Sequence, residues 1–431
     1  MNKFKKFFTC ALAGTMILSL ASCGSSGSST AATADTAAAS TSVAAEAEAG
    51  AESTAAESAA PAAEGTYATP ETEWEIASGI YNTEETDEEL YELAKEEGSV
   101  TIYSISSRTP KVIEAFNEKY PGVVAESYDI KTNELLEKVS REHEAGQHVA
   151  DVVHVKDEDG TIWNEYIPNK VFYNYKPADI LSHIDDAYTA TQTPLYIEMT
   201  QFFYNTEAYP DGSPITNIWQ LTDPEWNGRI VMQNPLDNTS WNAWVTGFTI
   251  GDVPAQLEAA YKELYGEDLV LSAGCENAGY ELWKRIYDNK PIFAASSDEC
   301  AEAIGAKGQE NPPVGFSASS KIRKNKDNDW VLGASNLYPT VGIPAVNTLY
   351  VVEGCEHPNA AKLLIRFMMG GVDGDLSGYE PFNTLGGWPV RDDIDPAEGS
   401  TPLSEYNVAT ADAEELYMNV QNVRDFLTML G

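Results

Sequence analysis

Residues 96–130, EEGSVTIYSISSRTPKVIEAFNEKYPGVVAESYDI, decide the fold. Val100 and Ile102 alternate with polar neighbours as a strand does. Gly98 separates them from a helical pattern carried by Leu90, Leu93 and Ala94. Thr109 is a good N-cap, Pro110 suits the first helical position, and Val112, Ile113 and Phe116 supply one apolar face. PGVVAESYDI then reads as a second strand. The next stretch, TNELLEKVSREHEAGQ followed by ADVVHV, adds a helix and a short apolar run typical of a buried parallel strand. Strand, helix, strand, helix, strand is the opening of a doubly wound α/β sheet.

The pattern repeats further along. IEMTQFFYNTEAY, from Ile197, is strand-like and ends at Asn205-Thr206. Trp219 and Leu221 then offer packing groups, and Arg229 to Met232 begins a new α/β series that continues through KPIFAA and PPVGFSA. GIPAVNTLYVVE returns as a strand, and HPNAAKLLIRFMMGG predicts an amphipathic helix with Ala361, Leu364, Ile365 and Met368 on one face. The fold class expected is therefore α/β, two doubly wound lobes joined by hinge strands. Residues 73–205 form the first part of lobe I, 206–342 lobe II, and 343–431 the return to lobe I with C-terminal helices. A cleft between two such lobes suits hinge closure around a ligand.

The N-terminus describes an address. Lys3, Lys5 and Lys6 precede an apolar segment, Phe7 to Leu20, that is short for a bilayer span. Leu20-Ala21-Ser22-Cys23 resembles a bacterial lipobox, so residues 1–22 read as a signal peptide and Cys23 as the acylated new terminus. From residue 23 to 72 the chain is Ala, Ser, Thr, Gly and Glu with almost nothing large and apolar, a composition expected to stay disordered. About fifty such residues reach roughly 40 Å, enough for the globular part to move freely near a membrane anchor. The expected location is the extracytoplasmic face of the cell membrane.

Composition bounds the rest. Roughly 350 residues beyond the arm exceed what one compact core usually organises. A formal net charge of −40 argues against nucleic acid, whose phosphates require basic patches. After Cys10 and Cys23 leave with the leader and the lipid, Cys275, Cys300 and Cys355 remain, which allows a Cys275–Cys300 bridge but is not a disulfide framework.

Three loops attract attention as ligand sites. SISSRTP carries Ser106, Ser107 and Arg108, NPLDNTSW carries Asn238, Thr239 and Ser240, and ASSDE carries Ser296 and Ser297. Each sets hydroxyls or amides before a helix, where free N–H groups and the dipole hold an anionic or polar group; the alternative reading is that the Ser, Thr and Asn residues are there simply as caps. His143, His148 and His154 are dense, but their spacing matches no zinc pattern and no metal site is expected. DGDLSGYE, from Asp373, starts like a calcium loop yet has Thr384 where the twelfth ligand would be Glu, so it reads as an acidic turn. No nucleophile motif stands out, and no cofactor is implied.

The fragments EEGSVTIYS, VIEAFNEKYPGV, VADVV, FFYNTEAYP, WQLTDPEWNGRIVMQNP, PVGF, VGIPAVNTLYVVEGCEHPNAAKLLIRFM and GGWPVRDDI, taken in order, resemble the extracellular solute-binding proteins of bacterial ABC importers, in the ferric-iron-type branch. The resemblance implies a type II periplasmic-binding-protein fold, a monomer that delivers a small polar organic solute, anions included, to a membrane permease, with no enzymatic role. It carries over contacts at Ser106 and Ser107, at Lys156 and Asp157 after ADVVHV, at Asn238 to Ser240, at Ser296 and Ser297, and at Tyr338. Iron-binding relatives use two adjacent tyrosines near that last position, whereas SNLYPTVG holds Tyr338 followed by Pro339. Ferric iron or a ferric chelate is the alternative ligand. A surface-anchored hydrolase using Asp157 and Glu299 would need carboxyls about 5 to 9 Å apart, for which the sequence gives no sign.

Overall fold

A computed structural model describes residues 69–431. The lipobox, Cys23 and nearly all of the acidic arm lie outside the described residues. Among the described residues no helix is long and apolar enough to cross a membrane.

The strands are β1 (Ser99–Ser104), β2 (Val124–Asp129), β3 (Val152–Lys156), β4 (Phe172–Tyr173), β5 (Pro194–Asn205), β6 (Ile230–Gln233), β7 (Ile292–Ala294), β8 (Val314–Ala318), β9 (Leu332–Ser335), β10 (Pro344–Val352) and β11 (Trp388–Pro389). In the first half, β1 lies parallel between β2 and β3. In the second, β6 lies parallel between β7 and β8. Two long strands connect them. The first residues of β5 pair antiparallel with β10, Tyr196 opposite Asn347, while its last residues pair with β8 and β9, Thr200 opposite Ala318 and Phe202 opposite Ser335. β10 in turn lies antiparallel to β3, with Asn347 opposite Lys156. Polar residues along these two strands therefore sit where the halves meet.

Each half has its own apolar core. Val100, Ile102 and Phe116 pack with Leu364 and Met368 in one, and Ile218, Trp219, Trp244, Trp283 and Phe316 pack in the other. The helix Asp87–Glu97 is set by a Thr86/Glu89 capping box at its start and by Gly98 at φ 81° at its end, a left-handed conformation that favours glycine. The helix after β1 runs Thr109–Lys119, so Thr109 is its first residue and Arg108 occupies the cap position without a side-chain capping bond. Thr109 Oγ1 instead bonds Ser104 Oγ at 2.6 Å, which ties the loop back to its strand.

Pro358–Met369 differs from the amphipathic surface helix the pattern predicts. Lys362 and Arg366, on its polar side, are buried as well as its apolar face. The helix Asp87–Glu97 and the segment before it cover that side, and the cations are matched there. Lys362 Nζ lies 2.6 Å from Glu85, and Arg366 pairs with Asp87 and, at 2.6 Å, with Asp179. The last helix, Ala413–Leu430, packs against Thr239–Thr246 and Ala278–Asp288 of the second half and reaches the turn Ile162–Tyr166 of the first. Tyr417 Oη donates to Glu165 Oε1 at 2.6 Å across that junction.

Cys275, Cys300 and Cys355 are free thiols. The bridge that the count allows does not form, because Cys300 is built into the helix Ser297–Gly305 against Phe203 and Val231 while Cys275 sits beyond that core, beside Glu281.

Candidate functional site

A cavity of about 340 Å³ opens where the two halves meet. The three loops singled out by sequence converge on it: Ser106, Ser107 and Arg108 from the start of one helix, Asn238 and Ser240 from another, Ser296 and Ser297 from a third. Lys131 and Thr132, at the start of Thr132–Glu144, add a fourth helix beginning. Four helix N-termini facing one space concentrate partial positive charge and free N–H groups. Some of these residues also serve as caps. Asn238 Oδ1 accepts from Trp241 N at 3.3 Å and Ser296 Oγ from Glu299 N at 3.2 Å.

The floor comes from β5 and β10. Glu198, the one carboxylate in β5, lines the cavity and is 6% exposed. Arg108 Nη2 donates to Glu198 Oε1 at 2.8 Å and to Tyr196 Oη at 2.6 Å, while Arg108 Nη1 reaches Thr384 Oγ1 at 3.3 Å. Its guanidinium also lies over the Tyr196 and Phe382 rings, 4.8 and 5.4 Å from their centroids. Lys156 Nζ stands between Glu158 Oε1 at 3.6 Å and Glu198 Oε2 at 3.9 Å. Burial alone pushes the Glu198 carboxyl up, but Arg108 and Lys156 hold it down at about 2. The same carboxylate helps keep both cations charged despite their burial.

From the second half come Ser320, Lys321 and Arg323, on the turn after β8. Lys321 Nζ bonds Asp298 Oδ2 at 2.8 Å, and burial lowers its pKa despite that partner. Arg323 is lowered by burial and by the neighbouring charge of Arg108. Counted around the wall, Arg108, Lys131, Lys156, Lys321 and Arg323 face Asp129, Glu158, Glu198 and Asp298, one more cation than carboxylate. That local balance stands out in a chain of net charge −40. Asn347, at 1% exposed, also lines the cavity, and its side-chain Nδ2 and Oδ1 have no hydrogen-bond partner within bonding distance among the described residues.

Three other residues nominated from sequence lie elsewhere. Asp157 accepts from the N–H groups of Ile162 and Trp163 at 2.9 and 2.8 Å and lines a neighbouring cavity. Burial raises its pKa to about 6 against the pull of those two donors. Thr239 sits at the rim, its Oγ1 2.6 Å from Asn133 Oδ1 of the first half. Tyr338 is 41% exposed, with its N–H donated to Thr216 O at 2.7 Å, and does not line the cavity. Sequence reasoning missed Tyr196, Glu198, Ser320, Lys321, Arg323 and Asn347. For Glu198 a signal existed, since a lone carboxylate inside IEMTQFF is costly unless paired.

The histidines disperse. His154 is buried with Nδ1 2.9 Å from Ser104 Oγ, burial and Arg108 holding its pKa near 3. His143 lies 3.6 Å from Glu353, and His148 packs against Gly354. In the acidic turn, Asp375 bonds Lys119 at 2.7 Å and accepts from Ser377 N. Glu299 is exposed and accepts from Ala295 N at 2.9 Å.

The family model for bacterial extracellular solute-binding proteins matches residues 101–370. No curated protein matches the chain in sequence. Among solved structures the fold is similar to iron-bound HitA from Pseudomonas aeruginosa, 13% identical with a TM-score of 0.56 over 77% of this chain and 99% of that one. It is also similar to the periplasmic binding protein AfuA from Actinobacillus pleuropneumoniae with fructose-6-phosphate bound, 16% identical with a TM-score of 0.58 over 76% and 97%. A third is the substrate binding protein of an ABC transporter from Agrobacterium tumefaciens, 12% identical, TM-score 0.58, over 78% and 96%. At such identities the likeness concerns the fold, the two-lobed type II arrangement that the family resemblance implied. With the family match extending over more than half of its length, the chain belongs to the bacterial extracellular solute-binding proteins.

Proposed function

We propose that this protein is the capture subunit of an ABC importer, tethered to the membrane through lipid on Cys23, and that it holds a small anionic organic solute between its lobes by hinge closure. The observation that carries the reading is the convergence of four helix beginnings and five cations on one cavity with only four carboxylates opposite. Arg108 is the central contact, because Glu198 and Tyr196 position it while Lys156 stands on the far side of the same carboxylate. An anion arriving there gains charge-assisted hydrogen bonds from side chains that are themselves largely buried. In this reading Ser107, Ser240 and Asn347 supply neutral hydrogen bonds that sort one solute from another.

Native mass spectrometry of the mature protein, comparing intact and denatured masses, tests this directly. An organic anion carried through purification supports the reading, and Arg108→Ala or Lys156→Ala should then lower affinity for it about tenfold or more. Unchanged affinity in both variants would place the site elsewhere. Bare ferric iron fits this wall less well, since Tyr196 is the tyrosine that lines it and burial pushes that phenol's pKa up, against the phenolate that hard iron prefers. A ferric chelate presents an anionic face instead, and the same spectrum would reveal it as iron plus an organic mass.

A further inference from the structure

Beside the main cavity lies a second one of about 190 Å³. The two share Glu158, Thr200 and Ser240 in their walls, so they adjoin at a polar neck. Past those three residues most of the lining is apolar: Trp244, Ile343, Val346 and Leu416, with Ala243 and Ala345 among them. Asp157 and Gln192 are the polar groups there, and the Asp157 carboxylate already accepts from the N–H groups of Ile162 and Trp163. Leu416 brings the C-terminal helix to this wall. A cavity of about 150 Å³ is large enough for a benzene-sized group. The neck is not neutral, because Glu158 Oε2 is buried without a partner among the described residues while its Oε1 faces Lys156.

We infer that the solute has three parts in a fixed order: an anionic head against Arg108 and Lys156, a hydroxyl or amino donor at Glu158, and an apolar group of about ring size in the side chamber. The inference rests on the anion-binding reading above and narrows it from any small anionic solute to one that carries an apolar substituent. Each part answers a different requirement. A second anion cannot pass Glu158 without like-charge repulsion, whereas a donor there satisfies an oxygen that is otherwise unpaired among the described residues. A polar tail would have to find its partners at Asp157 and Gln192, whereas an apolar one removes its surface from water against Trp244, Ile343 and Leu416.

The test is calorimetric titration of the mature protein with matched probes: lactate, 3-phenyllactate and 3-phenylpropionate, and a hydroxyalkyl phosphate with and without a phenyl group. In at least one series the phenyl member should bind about tenfold or more tightly than its parent, as burying most of a ring requires. Phenylpropionate, which lacks the donor, should fall below phenyllactate. Ala345→Leu fills the chamber and should bring the phenyl-to-parent ratio close to one. Leu416→Ala enlarges the chamber from its opposite wall and should keep the ratio or raise it, and melting curves identify any variant that fails to fold. Equal affinities within every pair, or a ratio indifferent to Ala345→Leu in folded protein, would overturn the side chamber while leaving the anion site intact. Binding by no member of either series would instead remove the anion-binding reading and this inference with it.

Discussion

Arg108 and Glu198 show how a buried charge pair organises a site. They lie ninety residues apart in sequence, and the bond between them places a guanidinium at the floor of the cavity. Removing one partner strands the other, so Arg108→Ala should lose stability by about 3 kcal/mol or more, beyond its effect on binding. Chemical denaturation without ligand measures this. The pair also predicts a pH dependence. The Glu198 carboxyl is held at about 2, below its ordinary 4.5, so its contribution is complete above about pH 4.5 and is lost as pH falls from there toward 2. The stability gap between wild type and Glu198→Gln should therefore be wide near about pH 7 and narrow near about pH 3. A gap that stays constant over that range would mean that Glu198 is not ionised below its usual range.

At the scale of elements, the strand β10, one of the two long strands between the halves, is entered through Gly342. This residue has φ +125°, and a Cβ on it would lie 2.1 Å from Trp244 Nε1, the indole whose N–H bonds Val341 O at 3.2 Å. Gly342→Ala should cost about 2 to 4 kcal/mol, because it combines backbone strain with displacement of a packed tryptophan. Differential scanning calorimetry would register it, and an unchanged melting temperature would contradict this geometry. The helices and strands themselves were largely legible in the sequence. Alternation in SVTIYS and the apolar face of KVIEAF report local structure, which neighbouring residues determine. The helix Pro358–Met369 was legible as a helix but not as one covered on both sides. Nothing in its own residues says that Asp87 and Asp179 arrive to pair with Arg366.

For the whole molecule, the proposed function depends on closure, and the rim bond from Thr239 to Asn133 joins the two halves at 2.6 Å. Thr239→Val keeps the shape and deletes the bond, so it should weaken ligand binding about threefold to tenfold, mainly through faster release. Small-angle scattering should show a larger mean radius for the variant without ligand. Identical release rates would mean that the rim contact contributes nothing to closure. Cys23→Ser tests the tether, and the expected outcome is protein recovered from the medium instead of the membrane fraction. Retention in the membrane fraction would argue against a lipid anchor at that residue.

By itself the sequence determined the alternation of strands and helices, the succession of two α/β series and the hydroxyl-rich loops that begin helices. All of these follow from patterns within a few residues, where periodicity and capping act. Only the tertiary structure decided that Ser107, Asn238 and Ser296 share one cavity, that Asp157 and Tyr338 stand outside it, and that Arg108 rests on Glu198. It also decided that a second cavity adjoins the first at Glu158. The physical reason is that a site's charge balance and shape depend on which distant strands and helices pack together, and packing is settled by the summed burial of two cores rather than by any local stretch.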